Sequence, residues 1–110
     1  MGSGRKSKER GKRGEREVAK MTEEITGLPC RRGVQYKGSP DSPDVVGLPG
    51  YHIEVKFVER LNLRQSIEQS EHDAGEDEIP VVVHRRTFDK WRITMPYEDF
   101  CKLYAEAYCK

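Results

Sequence analysis

Residues 39–57, SPDSPDVVGLPGYHIEVKF, place charged side chains inside a segment that otherwise has the composition of β-strand. PDVV and YHIEVKFV are rich in β-branched and aromatic residues, and the GLPG between them is typical of a tight turn. Together they predict a hairpin. Because side chains alternate faces along a strand, Glu54 and Lys56 share one face, opposite Val55. Asp44 then lies across the ladder, and the sequence leaves open whether the register brings it to Glu54.

Helices and further strands surround this hairpin. Apolar residues recur at helical spacing over residues 14–26, and the CRRGVQY segment after them is weakly β-like. LNLRQSIEQSEHDAG predicts a second helix, and IPVVVHR is an apolar run typical of a strand covered on both faces. KWRITMP predicts a short neighbouring strand, and YEDFCKLYAEAYC predicts a last helix. The predicted order is α-β-β-β-α-β-β-α, an α/β fold.

Chain length and composition predict one small domain. The chain has 110 residues, of which 35% are charged and only 35% hydrophobic, so the core must be small and a second copy would help to cover it. We expect a basic N-terminal tail over residues 1–13, free to be flexible, and a single domain over residues 14–110. No apolar run approaches the roughly 18 residues of a bilayer span, and no hydrophobic segment follows the N-terminal charges. We therefore expect a soluble, cytoplasmic protein with no membrane partner.

The N-terminal charges predict nucleic-acid binding. GRKSKERGKRGER contains seven basic residues against two acidic ones, whereas EQSEHDAGEDE is strongly acidic. Basic side chains of this kind suit phosphates, and none is obviously suited to bases, so no sequence specificity is expected. The candidate DNA-binding residues are Arg5, Lys6, Lys8, Arg10, Lys12, Arg13, Arg31, Arg32 and Lys37. Arg85 and Arg86 are further candidates.

The hairpin acids admit two interpretations. An isolated pattern of this kind is more often an ion pair of Glu54 with Lys56, with Asp44 capping a turn. Alternatively, two neighbouring carboxylates repel each other unless a cation lies between them, and hard oxygen ligands suit Mg²⁺ or Mn²⁺. The apolar residues around these charges place them at the edge of a core, which favours the second interpretation.

The order of several motifs resembles a known group of enzymes. GKRGERE opening a helix, then SPDVVG, IEVKF, and a helix with SIEQSE before IPVVVHR, resemble the PD-(D/E)XK nuclease superfamily. Within it, the chain is most similar to archaeal-type Holliday junction resolvases and their phage-encoded relatives, from about residue 11 to residue 91. The resemblance implies a restriction-endonuclease-like core, with a mixed central sheet flanked by helices. That architecture agrees with the element order predicted from the residues.

The resemblance also implies a set of site residues. The implied catalytic residues are Glu15, Asp44, Glu54, Lys56 and Gln69. Asp44, Glu54 and the backbone carbonyl of Val55 would bind Mg²⁺, for which Mn²⁺ substitutes, and Glu15 would bind it directly or through water. Lys56 would orient or deprotonate the attacking water.

Some of these assignments have a competitor nearby. Helical periodicity alone does not choose between Glu15 and Glu17, although Glu17 is expected to be a solvated residue. Gln65 lies one turn before Gln69 on the same helix face. Asp41 duplicates Asp44 but does not directly abut the strand, so it is interpreted as a turn residue.

The implied activity is metal-dependent hydrolysis of DNA phosphodiesters, at four-way junctions above all. The alternatives are a related nuclease that cuts a flap, a nick or ordinary duplex, and a non-catalytic basic DNA-binding module whose acids are structural. Cutting a junction symmetrically takes two active sites and hence a C2 homodimer. Exposed apolar positions near Trp91 or on the last helix are candidates for its interface.

Overall fold

The structure, a computed structural model, describes residues 2–33 and 42–109. Lys37 and Asp41 lie outside the described residues. The element order confirms the predicted α-β-β-β-α-β-β-α arrangement. The elements are α1 Gly2–Thr26, β1 Arg31–Arg32, β2 Val45–Val46, β3 Tyr51–Phe57, α2 Leu63–Asp73, β4 Ile79–Arg85, β5 Arg92–Thr94 and α3 Tyr97–Tyr108.

The strands form one mixed sheet in the order β1-β2-β3-β4-β5. β3 and β4 are parallel, with α2 as the crossover between them, and the other neighbouring strands are antiparallel. Val45 pairs with Ile53, and the Asp44 N–H donates to the Ile53 carbonyl at 2.8 Å. This register, which the sequence left open, places Asp44 opposite Glu54.

The two faces of the sheet differ in polarity. On one face, Val18 and Ala19 of α1 are buried with Ile53 and Val55 in the main apolar cluster. On the other face lie His52 and Glu54, both buried, and α2 covers them.

The polar face changes what α2 presents to the sheet. Its buried residues are Ser66 and Ser70, while Leu63 is 38% exposed. The helical spacing of Leu63, Ile67, Ser70 and Ala74 predicts that they share one face, and a buried position for that face is wrong at Leu63. The hydroxyls of the two serines donate to backbone carbonyls of the same helical segment, Ser66 to Asn62 and Ser70 to Ile67, each at 3.0 Å. Small side chains whose polar atoms are satisfied in this way can be buried against the sheet without an unpaired hydroxyl.

Helix α1 begins at Gly2 and not at Gly14 as predicted. The apolar pattern misses its first half because cationic side chains stabilise it there. The guanidinium groups of Arg10 and Arg13 lie 4.2 and 5.0 Å from the centre of the Phe57 ring, and Arg10 also forms an ion pair with Glu59. The basic segment is thus helical from Gly2 onward, and the division into a tail and a domain stays a prediction.

Helix α3 is confirmed but has no buried residue. Tyr97, Phe100, Tyr104 and Tyr108, here called the α3 stripe, follow one another along one side and are all exposed. Within the described ranges, no helix combines the length and apolar character that crossing a membrane requires.

Candidate active site

Asp44 and Glu54 meet across the hairpin. Asp44 directly precedes β2, and its Oδ2 accepts a hydrogen bond of 2.8 Å from the Val55 N–H. The hairpin register sets Asp44 opposite Glu54, and the two carboxyl groups lie within hydrogen-bonding reach of each other. Two acids on neighbouring strands of the hairpin therefore lie together at the edge of the core.

Burial makes this pair of acids unusual. Burial, followed by the negative charge of Glu54, raises the pKa of Asp44 to about 7. Burial also raises the pKa of Glu54, although the hydrogen bond with Asp44 and the positive charge of Lys56 act against it. The negative charge of these two carboxyl groups is only partly neutralised by their surroundings. Their hard oxygen atoms form a donor set that fits a divalent cation such as Mg²⁺.

Glu15 of α1 lies on the same side as these acids. Its Oε1 accepts a hydrogen bond of 2.8 Å from Arg32 Nε on β1. Burial raises the pKa of Glu15, the bond from Arg32 lowers it, and the charge of Asp44 raises it again. The effect of Asp44 reflects the proximity of the two carboxyl groups, so helix α1 contributes a third acid to the cluster.

Glu17 lies on the other flank of α1. It accepts hydrogen bonds from Arg85 at 3.0 Å and from Trp91 Nε1 at 3.2 Å. Burial acts to raise the pKa of Glu17, but these bonds outweigh burial and hold the pKa below its ordinary value. Glu17 is thus partly exposed, with 35% of its side chain accessible, lies away from the acids, and joins α1 to β4 and to Trp91.

Lys56 is half-buried on the face of β3 that carries Glu54. Its positive charge acts to lower the pKa of both Asp44 and Glu54, but burial has the larger effect and raises both values. In the parallel register it stands beside His84 of β4. The lysine is therefore close enough to the acids to act on the same bound group.

Gln69 does not join the cluster in the described part of the chain. It is exposed on α2, as is Gln65, and no hydrogen bond links either side chain to the acids within residues 42–109. The α2 residue that reaches the site is Asp73, whose carboxylate lies within 4.8 Å of ligand atoms of His52 and Glu54. Asp73 also raises the pKa of Glu54.

His52 supports Glu54 from beneath. It is 1% exposed, and its Nε2 lies 2.8 Å from Glu54 Oε1, while its Nδ1 lies 3.6 Å from Glu78 Oε1. Glu78 is itself fixed by the Gly75 N–H, which donates to it at 2.7 Å. Strand alternation puts His52 on the face of Glu54, but from the sequence alone it is interpreted more readily as an ordinary strand residue than as a neighbour of the site. Asp73 and Glu78 had no such signal, because the place where α2 ends over the sheet is set by packing.

A basic cleft leads to the acids. It has a volume of about 420 Å³ and is lined by Lys8, Gly11, Lys12, Glu15, Arg32, Gly33 and Asp44. Of the predicted DNA-binding residues, Lys8, Lys12 and Arg32 line this cleft. Arg5, Lys6 and Arg31 are exposed outside it, whereas Arg10 and Arg13 contact Phe57 on the opposite flank of α1.

A family model matches residues 6–110, and its description is "Phage putative PDDEXK endonuclease". The chain belongs to this family. Membership confirms the resemblance to the PD-(D/E)XK superfamily and agrees with the predicted fold, and it supports a nuclease activity with DNA as the substrate. Nucleases of this superfamily typically use a divalent metal ion, in keeping with the acidic and histidine side chains gathered here. No curated protein and no solved structure gives a significant match to this phage PD-(D/E)XK endonuclease.

Proposed function

We propose that this protein is a Mg²⁺-dependent endonuclease that hydrolyses DNA phosphodiesters, with four-way junctions as its preferred substrate. The observation that carries the proposal is the contact of Asp44 with Glu54 at the end of a cleft whose walls bear Lys8, Lys12 and Arg32. Cations along the walls attract the DNA backbone, and acids at the end suit a metal ion next to the bound phosphate.

Asp44, Glu54 and the Val55 carbonyl would hold the metal ion, and Glu15 would assist. When bound, Mg²⁺ supplies a positive charge next to the scissile phosphate and lowers the pKa of water. The protein keeps this donor set in place before any metal arrives. The Val55 N–H fixes Asp44, Arg32 fixes Glu15, and His52 fixes Glu54.

Lys56 contributes a mobile positive charge on the same face. Its ammonium group would hold the attacking water or a phosphate oxygen by hydrogen bonds and offset negative charge in the transition state. Val55 on the opposite face of β3 is packed in the apolar cluster, which anchors the strand that carries both Glu54 and Lys56.

Contacts to DNA would be made mainly to phosphates. Lys8 and Lys12 in the cleft, with Arg5 and Lys6 farther along α1, would follow one strand of the backbone. Gln69 would lie at the border of the site, where its exposed amide is free to meet the substrate and not the metal. Binding should therefore weaken steeply with salt and vary little with sequence.

The preference for four-way junctions calls for two active sites in one assembly, and the α3 stripe supports a homodimer. At about 150–250 Å² per aromatic side chain, exposed fractions of 78%, 47%, 53% and 74% leave roughly 500 Å² of ring surface open. Next to the stripe lies an apolar groove of about 520 Å³, lined by residues such as Met21, Ile93 and Leu103. The ring surface alone is more than half of the area of about 800 Å² per partner that a stable dimer buries, and the apolar lining of the groove would add to it.

Cleavage of four substrates tests the proposal. A four-way junction, a flap, a nicked duplex and an intact duplex of matched sequence would be incubated with Mg²⁺, with Mn²⁺ and with a chelator. The wild type should cut the junction fastest and should cut nothing in the chelator. Asp44→Asn should abolish cleavage and leave binding in place, whereas Asp77→Asn, which changes an exposed loop acid, should leave both unchanged.

Each result has a distinct meaning. Cleavage by Asp44→Asn would overturn the site, and equal rates on all four substrates would overturn the junction preference but not the nuclease. If no metal supports cleavage while salt-sensitive binding persists, the chain acts as a DNA-binding module with structural acids.

A further inference from the structure

The turn between β4 and β5, residues 86–90, presents an aromatic ring directly to solvent. Phe88 is 102% exposed, and its φ angle is 63°. A bulky residue seldom adopts this left-handed conformation, and a fully exposed phenyl ring gains nothing from burial. A residue with both features needs a reason outside the folding of its own domain.

Hydrogen bonds on both sides of Phe88 hold the turn in this shape. The N–H and the hydroxyl of Thr87 both donate to Glu59 Oε2, at 2.9 and 2.7 Å. After Phe88, the Lys90 N–H donates to Asp89 Oδ1 at 2.8 Å, and Arg92 binds the same carboxylate. The backbone that carries the ring is therefore held in this conformation.

The surroundings of the ring are basic. Arg86 and Lys90 are exposed in the same turn. Arg10 donates to the Thr87 hydroxyl at 2.8 Å, which ties the turn to α1. On α1, Arg10 lines a shallow groove together with Arg5, Lys6 and Arg13. Phe88 thus stands among cations on one flank of α1, while the cleft that leads to the acids lies along the other.

We propose that Phe88 is a stacking platform for an unpaired base of DNA that lies across α1. The inference rests on the proposed action on DNA. Cations that follow the backbone, combined with an exposed ring, are the arrangement by which proteins hold unstacked bases, because every base has an aromatic face. Such bases are available where strands exchange or end and are absent from intact duplex, so the ring would favour branched or gapped substrates over duplex.

Affinity measurements without metal test the proposal. The protein and its Phe88→Asn and Phe88→Trp variants would be titrated, in chelator, with a duplex and with the same duplex carrying three unpaired bases. Asparagine tolerates the left-handed conformation, so Phe88→Asn should be at least as resistant to thermal unfolding as the wild type. It should bind the unpaired substrate about 5- to 150-fold more weakly. Affinity for the intact duplex should change less than about twofold, and Phe88→Trp should bind both substrates as the wild type does.

An environment-sensitive fluorescent base at the unpaired position gives a second measurement. Its emission should change on binding of the wild type and of Phe88→Trp, and not on binding of Phe88→Asn. Equal affinity of Phe88→Asn and wild type for the unpaired substrate would overturn the inference, and so would an equal loss on both substrates. A change in sedimentation of Phe88→Asn would assign the ring to a contact between protein chains instead. None of these measurements needs cleavage. If the protein cleaves no DNA, the proposed nuclease function is overturned, but the inference about Phe88 is not.

Discussion

In the folded protein the half-buried carboxyl of Asp44 lies against that of Glu54. When both are charged, this arrangement lowers the free energy of unfolding. Burial and this neighbour raise the pKa of Asp44 to about 7. Asp44→Asn keeps an oxygen that can accept the Val55 N–H and removes the charge. In chelator above pH 7 we expect a free energy of unfolding higher by on the order of 2 kcal/mol. Urea unfolding measures it, and a variant less stable than wild type would contradict the carboxyl contact.

His52 lies 2.8 Å from Glu54, a proposed metal ligand, so its removal should change metal binding before it changes chemistry. For His52→Ala we expect the Mg²⁺ concentration for half-maximal cleavage to rise roughly 10-fold, the usual effect of losing a partner of a metal ligand. His52→Gln, which retains a side-chain donor, should recover part of the loss. A metal titration with saturating DNA decides between this role and a purely structural one, for which the half-maximal Mg²⁺ concentration would stay fixed.

At the scale of the element, the position of α1 depends on one glycine. A Cβ at Gly14 would lie 3.0 Å from Phe57 Cβ and 3.2 Å from Trp91, whereas one at Gly11 would meet nothing within 4 Å. Alanine at Gly11 should therefore raise the free energy of unfolding by about 0.5–1 kcal/mol through helix propensity alone. Alanine at Gly14 gains the same helix propensity, but its methyl group must displace Phe57 and the Trp91 ring. We expect the free energy of unfolding to fall by about 1–2 kcal/mol in total. Comparing the denaturant midpoints of the two variants isolates the packing effect.

The ion pair of Glu59 with Arg10 joins α1 to the β4–β5 turn and makes that junction sensitive to acid. The Thr87 N–H, followed by Arg10, lowers the pKa of Glu59 from 4.5 to about 2. A carboxyl whose pKa is depressed on folding stabilises the protein above its unfolded pKa and loses that effect as the pH falls through the folded value. The wild type should thus exceed Glu59→Gln in stability at neutral pH, and the difference should shrink between about pH 4.5 and pH 2. Thermal unfolding across this window measures it, and a difference independent of pH would contradict it.

The sequence predicts those elements whose signal is local. Strand alternation is enough to put Glu54 and Lys56 on one face, and the turn composition predicts the hairpin, but the register that places Asp44 opposite Glu54 is seen only in the structure. The choice between Glu15 and Glu17 is different, because it depends on which flank of α1 faces β1 and β2. Apolar periodicity does not reveal the start of α1. Its first half is stabilised by contacts such as that of Arg10 with Phe57, 47 positions away in sequence, and such a contact adds no apolar residue to the helix.

At the scale of the whole molecule, the proposed homodimer would bury the α3 stripe and bring two active sites to one substrate. Tyr104→Glu places a charge in the middle of the stripe, and no residue of α3 is buried, so the fold of the protomer should survive. We expect this variant to sediment as a monomer where the wild type is a dimer. Glu106→Arg, on the opposite side of α3, is the matched control and should leave the dimer intact.

The same pair of variants separates assembly from chemistry. Two sites in one dimer can cut both strands of a junction within the lifetime of a single complex, whereas a monomer must bind twice. On a supercoiled plasmid that extrudes a cruciform, the wild type and Glu106→Arg should yield linear DNA directly, while Tyr104→Glu should accumulate the nicked circle. If Tyr104→Glu remains a dimer, α3 is not the interface. If it is a monomer and still yields linear DNA without a nicked intermediate, cleavage of both strands does not require two active sites. The proposal of a symmetric junction nuclease is then wrong.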